Sequence, residues 1–244
     1  MRITQHMYQI SGSCYGTNSS TYVLDAGEYL VLFDAGYTEH QKDVMRRCLR
    51  RWQLDGKPVR HLFLTHAHMD HAGNAAAFRA AGARVYVGEA DADALRSGGL
   101  VTLDKLFGLP FTCCEPDVLV REGDAWTFGE AQVTAVALPG HTAGSTGYLV
   151  KTDGLTCFVT GDFVALGLAS PDETSQTILL AAMIRPGFDE AAYGESLEKA
   201  SHIDADILLP GHLITYEGDT KQIFRTAAEQ YASQPHNIMD LTAE

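Results

Sequence analysis

The residues best suited to chemistry lie in one short segment. Thr65-His66-Ala67-His68-Met69-Asp70-His71 places four potential metal ligands within six positions, directly after an apolar run. In extended backbone His66 and His68 point to the same side, because side chains alternate with a period of two. Asp70 and His71 follow where the chain turns into a helix, so they face a neighbouring point. The segment therefore predicts two adjacent metal positions, and its imidazole and carboxylate donors suit zinc, iron or manganese.

Three downstream motifs each place a polar side chain after a predicted strand and a glycine. They are Pro139-Gly140-His141-Thr142, Thr160-Gly161-Asp162 and Pro210-Gly211-His212. Glycine lets the backbone turn sharply and approach a site closely, and strand-end loops commonly present catalytic groups. We expect these motifs to supply the remaining ligands. The other histidines are predicted to lie on the surface or at the rim of the core: His6, His40, His61, His202 and His236.

The hydrophobic pattern predicts the elements that position these motifs. Strands are expected at 21–25, 29–33, 59–64, 84–87, 118–121, 132–138, 146–150, 155–160 and 207–209. Helices are expected at 39–52, 72–81, 89–96, 189–200 and 220–231. Strand-rich runs followed by helices, twice over, predict an α/β protein in which two packed sheets carry helices on both outer faces. We interpret residues 1–244 as one domain.

Two long apolar segments, 98–116 and 163–187, fit this plan poorly and are expected to be irregular. Insertions of this length are commonly functional loops. They predict either a lid over the site or a surface buried in a homodimer or against the core.

Composition limits the partners. Eighteen Lys and Arg against 31 Asp and Glu give a net charge of −13. This acidity argues against nucleic acid as a partner and leaves a small molecule, even an anionic one, as the expected substrate. Five cysteines without paired spacing predict reduced thiols and a cytoplasmic location. The N-terminus has no apolar run of signal-peptide length, and the longest apolar stretch, 178–184, is too short to span a membrane.

The ordered set of motifs from Asp34 to His212 resembles the metallo-β-lactamase superfamily, and its glyoxalase II-like branch in particular. The resemblance implies a four-layer αβ/βα sandwich with a dinuclear metal site, most simply of two zinc ions. It implies that one metal is held by His66, His68 and His141, the other by Asp70, His71 and His212, with Asp162 bridging them.

The same resemblance implies hydrolysis by a hydroxide that bridges the two metals, with Asp70 as a catalytic residue that orients it. Asp34, Thr65 and Thr142 are candidates to fix the ligands from behind, since ligating histidines usually donate their second N–H to a carboxylate or carbonyl. Asp34 ends a predicted strand where the superfamily usually has an acidic residue. The alternative for Asp34 is a turn or cap role.

Departures from the family patterns narrow the range of candidate substrates. Asp162 stands where the lactam-hydrolysing enzymes have Cys or Ser, which argues against a lactam. The segment after Asp162 lacks the Gly-Cys-Gly-Arg-like run of glyoxalase II, and Ala165 stands where signal lactonases often have Tyr. We expect a carboxylic ester, thioester or lactone. The alternatives are a phosphodiesterase or nuclease, which the acidity and the lack of a basic cluster disfavour, and a mononuclear-iron persulfide dioxygenase.

Overall fold

The first half of the chain forms a six-stranded sheet in a computed structural model that describes residues 1–168 and 176–242. The sheet has the strand order of the sequence: β1 (Met7–Gln9), β2 (Tyr22–Asp25), β3 (Leu30–Phe33), β4 (Val59–Phe63), β5 (Arg84–Gly88) and β6 (Val118–Val120). The strands from β1 to β3 are antiparallel, and those from β3 to β6 are parallel. Parallel strands are usually buried on both faces, which explains the unbroken apolar run at Leu62-Phe63-Leu64.

The second half forms a second six-stranded sheet and two small ones. Its strands are β7 (Ala125–Phe128), β8 (Ala131–Ala137), β9 (Thr146–Thr152), β10 (Leu155–Gly161), β11 (Val164–Leu168), β12 (Gln176–Leu180), β13 (Ile184–Arg185), β14 (Ile207–Pro210), β15 (Tyr216–Glu217) and β16 (Met239–Asp240). The large sheet has the order β15-β14-β10-β9-β8-β7. Strands β11 and β12 form a hairpin, and β13 pairs with β16.

Helices cover the outer faces of both large sheets. They are α1 (Glu39–Arg51), α2 (Met69–Ala72), α3 (Ala75–Ala80), α4 (Ala92–Ser97), α5 (Asp104–Phe107), α6 (Glu190–Ala200) and α7 (Thr220–Ser233). Among the described residues none of these helices is both long and apolar enough to cross a bilayer.

Three apolar clusters define four layers. Alternate side chains of a strand face opposite ways, so Leu62 packs outward against helices while Phe63 packs inward between the sheets. On the second sheet, Phe158 packs outward with the helical Tyr193 and Phe224. The helix–sheet–sheet–helix order confirms the predicted αβ/βα sandwich.

Several expectations for individual elements were wrong. The helix predicted at 72–81 is realised as two short helices, α2 and α3, which are separated at Gly73 and Asn74; the backbone leaves the helical conformation at Asn74. Strands β1 and β7 were missed; each is a short strand at the edge of its sheet. The segment 163–187 is not wholly irregular, since it contains β11 and β12; its central residues 169–175 lie outside the described residues. Segment 98–116 contains the short helix α5.

Candidate metal centre

All seven residues predicted as metal ligands gather where strands of both large sheets end. His66, His68, Asp70 and His71 follow β4 of the first sheet, whereas the other three follow strands of the second: His141 after β8, Asp162 after β10 and His212 after β14. Their donor atoms form two groups, in each of which all atoms lie within 4.8 Å of one another. Asp162 belongs to both groups, so the structure brings together what the sequence predicted as two adjacent positions.

The first group consists of His66, His68, His141 and Asp162. The Nε2 atom of His141 lies 3.1 Å from Nδ1 of His68 and 3.6 Å from Oδ2 of Asp162. The Nε2 atom of His66 lies 3.9 Å from the same carboxylate oxygen. All three imidazoles are buried. This is a set of three nitrogen donors and one oxygen donor around a small common volume.

The second group consists of Asp70, His71, Asp162 and His212. The Nε2 atom of His212 lies 3.2 Å from Oδ2 of Asp70 and 3.2 Å from Oδ2 of Asp162. The Nε2 atom of His71 lies 3.0 Å from Oδ1 of Asp162 and 3.5 Å from Oδ2 of Asp70. Two carboxylates therefore converge here with two imidazoles.

Two observations test whether these donors fit cations. The Nε2 atom of His66 is buried without a hydrogen-bond partner among the described residues, and buried polar atoms are rarely left unsatisfied. A Cβ at Gly211 would lie 2.3 Å from Oδ1 of Asp162 and 2.7 Å from Cε1 of His71. The glycine thus allows the backbone to close around the donors. An unsatisfied nitrogen among converging nitrogen and oxygen donors fits a divalent metal ion.

The histidines of the first group are held neutral. Burial lowers the pKa of His66 well below its ordinary value and lowers that of His68 to about 3, with neighbouring histidines adding to both shifts. Burial also lowers the pKa of His141. Since metal ligands must be deprotonated, these imidazoles already carry the lone pairs that a cation requires.

The second group holds protons and negative charges that offset each other. Burial alone would lower the pKa of His212, but hydrogen bonds with Asp162 and Asp70 raise it to about 10. Burial would likewise lower the pKa of His71, but the carboxylates of Asp162 and Asp70 raise it well above its ordinary value. Burial alone would raise the pKa of both carboxyls, yet His71 and His212 lower it. The two carboxylates thus keep the two imidazoles protonated. A bound metal ion can replace those protons as the positive charge between the carboxylates.

Asp34 and Thr65 fix the orientation of His71 and His66 through the Nδ1 atoms of the two imidazoles. The Oδ1 atom of Asp34 accepts the backbone N–H of Thr65 at 2.8 Å, and Oδ2 accepts the Thr65 hydroxyl at 2.9 Å. The same Oδ2 lies 2.8 Å from Nδ1 of His71, and the Thr65 hydroxyl lies 3.0 Å from Nδ1 of His66. Because that hydroxyl donates to Asp34, it accepts from His66, so that Nε2 of His66 presents its lone pair to the site.

Among the described residues Thr142 makes no hydrogen bond to an imidazole. Its hydroxyl donates instead to Oδ2 of Asp91 at 2.8 Å. Sequence reasoning missed Asp91, because it falls in the first turn of the helix expected at 89–96, where an acidic residue is ordinary.

Sequence reasoning also missed Asn18 and Ser19, which lie against the second group. The side-chain amide of Asn18 donates to Oδ2 of Asp70 at 3.0 Å, and its backbone oxygen lies 3.2 Å from Nδ1 of His212. The Ser19 hydroxyl donates to the backbone oxygen of Asp70. Nothing in a polar loop distinguishes such residues until the fold brings the loop to the ligands.

Both insertions contact ligand-bearing segments. The backbone oxygen of Thr102 accepts the N–H of Met69 at 2.9 Å, and that of Ala182 lies 3.2 Å from Nδ1 of His141. Leu166 of β11 forms a bridge with Leu213, next to His212. The two segments therefore flank the candidate centre.

Comparisons with known proteins agree with this geometry. A family model described as the Metallo-beta-lactamase superfamily matches residues 14–212. A hydroxyacylglutathione hydrolase of Brucella anthropi is 32% identical over 119 residues, which are 48% of this chain. The match spans 36% of that relative, about a third of its length.

Solved structures share the fold. BJP-1, a subclass B3 metallo-beta-lactamase of Bradyrhizobium japonicum, has a TM-score of 0.72 at 22% identity, covering 95% of this chain and 91% of its own. A beta-lactamase from Chitinophaga pinensis has a TM-score of 0.70 at 20% identity, covering 95% and 92%. At sequence identities of 20–22%, this structural similarity shows a shared fold and nothing more.

Proposed function

Because the chain belongs to the Metallo-beta-lactamase superfamily, we propose that it is a dinuclear metal-dependent hydrolase of carboxylic esters, thioesters or lactones. The observation that carries this proposal is the position of Asp162, whose carboxylate belongs to both groups of donors. A carboxylate shared between two sets of imidazoles is suited to bridge two cations. The partial match to a hydroxyacylglutathione hydrolase, whose name denotes cleavage of a thioester, supports acyl chemistry.

The proposed ligands follow the two groups. His66, His68 and His141 would hold one ion, and Asp70, His71 and His212 the other, with Asp162 between them. Mixed nitrogen and oxygen donors favour zinc, with iron or manganese as the other candidates. We further propose zinc as the metal, a cytoplasmic location, and a homodimer formed through the two insertions.

The chain's residues prepare the site for attack on a carbonyl. Divalent ions bound here would supply Lewis acidity, which polarises a carbonyl and makes water deprotonate near neutral pH. Asp70 would orient the attacking water with its carboxylate, whose Oδ2 atom is held by Asn18 at 3.0 Å. Thr65 and Asp34 keep His66 and His71 in their orientations. No nucleophilic side chain is required.

The flanking insertions suggest the substrate's character. Phe107 and Leu109 of segment 98–116 are exposed, as is Leu179 of β12. Large exposed apolar side chains in segments that flank a site commonly serve ligand contact. They support a substrate with an apolar acyl group.

Metal analysis and substrate comparison test the proposal together. We expect about two metal ions per chain and cleavage of p-nitrophenyl esters and of thioesters in preference to bis-p-nitrophenyl phosphate. Asp162→Ala should lose metal and activity. Asp206→Ala is the control, because that exposed carboxylate accepts the backbone N–H of Thr156, at the beginning of β10, away from the ligands. Preference for the phosphodiester, or one iron per chain with oxygen consumption, would assign the protein to the alternative reactions. Full activity and two metals in Asp162→Ala would refute the bridging role.

A further inference from the structure

Asp91 is a buried carboxylate that the proposed reaction leaves without a role. Its residue is only 1% exposed, and it occupies the N-cap position of α4. Aspartate at this position usually accepts a backbone N–H of the helix that it precedes. The Asp91 side chain makes no such hydrogen bond with α4. Its two carboxylate oxygens instead accept hydrogen bonds from other segments of the chain.

The carboxylate joins the two loops that carry the three histidines of the first group. Its Oδ2 atom accepts the backbone N–H of Ala67 at 2.9 Å and the hydroxyl of Thr142 at 2.8 Å. Its Oδ1 atom accepts the backbone N–H of Gly144 at 2.8 Å. Ala67 lies between His66 and His68, and Thr142 directly follows His141. One side chain thus fixes donors that come from different sheets.

Two glycines, Gly88 and Gly144, allow the backbone to pack closely around Asp91. A Cβ at Gly144 would lie 2.4 Å from the backbone nitrogen of Asp91 and 2.6 Å from its Cβ. A Cβ at Gly88 would lie 1.9 Å from the backbone oxygen of Gly144. Neither glycine has a positive φ, so what they provide here is close approach. Both allow the second-sheet loop to reach the carboxylate.

The charge of Asp91 is compensated chiefly by hydrogen-bond donors. Burial raises the pKa of Asp91, while the hydrogen bonds from Thr142, Gly144 and Ala67, and the nearby imidazole of His141, lower it. A buried carboxylate in this setting gains stability from a nearby cation. The three-histidine position, which contains only one carboxylate of its own, is adjacent through Ala67 and Thr142.

We propose that Asp91 is a positioning residue for the three-histidine metal position, and that its buried negative charge strengthens binding of the divalent ion there. It would act by fixing the loops of His66, His68 and His141 in the geometry for binding. This inference rests on the proposed metal site. Its chemistry is that of residues behind metal ligands, whose loss typically weakens metal affinity by 10–100-fold.

The test is the affinity for Zn²⁺, measured by competition with a chromophoric chelator, for wild type and Asp91→Asn. The amide cannot accept at both of its atoms, so at least one of the three donors is left facing an N–H. We expect Asp91→Asn to bind one of the two ions about 10–100-fold more weakly. The d–d absorption of the Co²⁺-substituted protein should change as well, because the imidazoles lose their fixed geometry.

Asp153→Asn is the matched control. The Asp153 carboxylate also accepts a backbone N–H, from His6 at 2.8 Å, and a hydroxyl, from Thr4 at 2.6 Å. Asp153, however, lies at the opposite end of β10 from Asp162, because it precedes that strand and Asp162 follows it. We expect its Zn²⁺ affinity and Co²⁺ spectrum to equal those of wild type. An equal loss of affinity in both variants would overturn the proposal, since general destabilisation would then explain it.

A pair of milder variants covers the case in which Asp91→Asn does not fold. Thr142→Val removes one hydrogen bond to Asp91, while Thr142→Ser keeps the hydroxyl. A several-fold weaker Zn²⁺ affinity in Thr142→Val, restored in Thr142→Ser, supports the role of Asp91; unchanged affinity in both overturns it. Unchanged affinity in a folded Asp91→Asn does the same. Wild type that binds no Zn²⁺ would instead refute the metal site itself.

Discussion

Gly211, which directly precedes His212, offers a sharp test of how closely the backbone must approach the metal centre. In Gly211→Ala the new Cβ would lie 2.3 Å from Oδ1 of Asp162, where ordinary contact begins at 3.4 Å. It would also lie 2.7 Å from Cε1 of His71 and 2.9 Å from the carbonyl carbon of Gly161. The backbone of Gly211 has no positive φ, so alanine can adopt its conformation. Any effect of the substitution must therefore come from the methyl group.

The distances set the expected size of the effect. Restoring an ordinary contact requires the Asp162 carboxylate to move by about 1 Å, and a displacement of that size in a catalytic site can cost about 100-fold in rate. The overpacking itself should lower the free energy of unfolding by about 1–3 kcal/mol. We therefore expect kcat/KM for a thioester to fall about 100-fold, with weaker metal binding, in a protein that still folds.

Gly56→Ala is the appropriate control, because its Cβ would meet nothing within 4 Å and its φ is not positive. That variant should match wild type in metal content, activity and thermal unfolding. Activity within about threefold of wild type in a Gly211→Ala protein that retains two metals would refute the reasoning. It would mean that Asp162 tolerates displacement and does not bridge the two positions.

Three further results are expected. Asp34→Asn should lower the free energy of unfolding of the metal-free protein by about 2–4 kcal/mol in urea titrations, because Thr65 and His71 lose a charged acceptor; an unchanged value would contradict its bracing role. Chelation with EDTA should lower Tm by roughly 8–16 °C, as follows from about 4 kcal/mol for metal at 1,000 times its Kd and 2–4 °C per kcal/mol in domains of this size; scanning calorimetry with and without Zn²⁺ measures the shift, and an unchanged Tm would count against resident metal. Iodoacetamide at pH 8 should label the exposed Cys113 and spare Cys114, because burial raises the pKa of Cys114 to about 11; mass spectrometry of the peptide would contradict this if Cys114 were labelled equally.

The ligand set could be predicted because its signals are local. The spacing of His66, His68, Asp70 and His71 and the glycine before each later ligand are visible without a fold. Asp34 was predicted from the family resemblance, because it ends a strand where the superfamily usually has an acidic residue. The central strands of the two sheets were predictable because each is a buried, mostly apolar run of residues.

What the sequence could not reveal depends on contacts between distant segments. Asp91 falls within the first turn of the helix expected at 89–96, and its contact with Gly144 of the second-sheet loop forms only in the folded chain. Asn18 lies in a polar loop and meets Asp70 only when the chain folds back. Each of these outcomes is decided by tertiary contacts, which override local propensity.

The division of the donors between two sheets also sets an order of assembly. The three-histidine position gains its last histidine from the loop between β8 and β9, within an antiparallel meander from β7 to β10 whose neighbours in space are neighbours in sequence. His212 arrives only with β14, which pairs in parallel with β10 after the chain has passed through α6. Local pairings form faster than distant ones. In a chain synthesised from its N-terminus, all three histidines of the first position are therefore present before His212, the last ligand of the second.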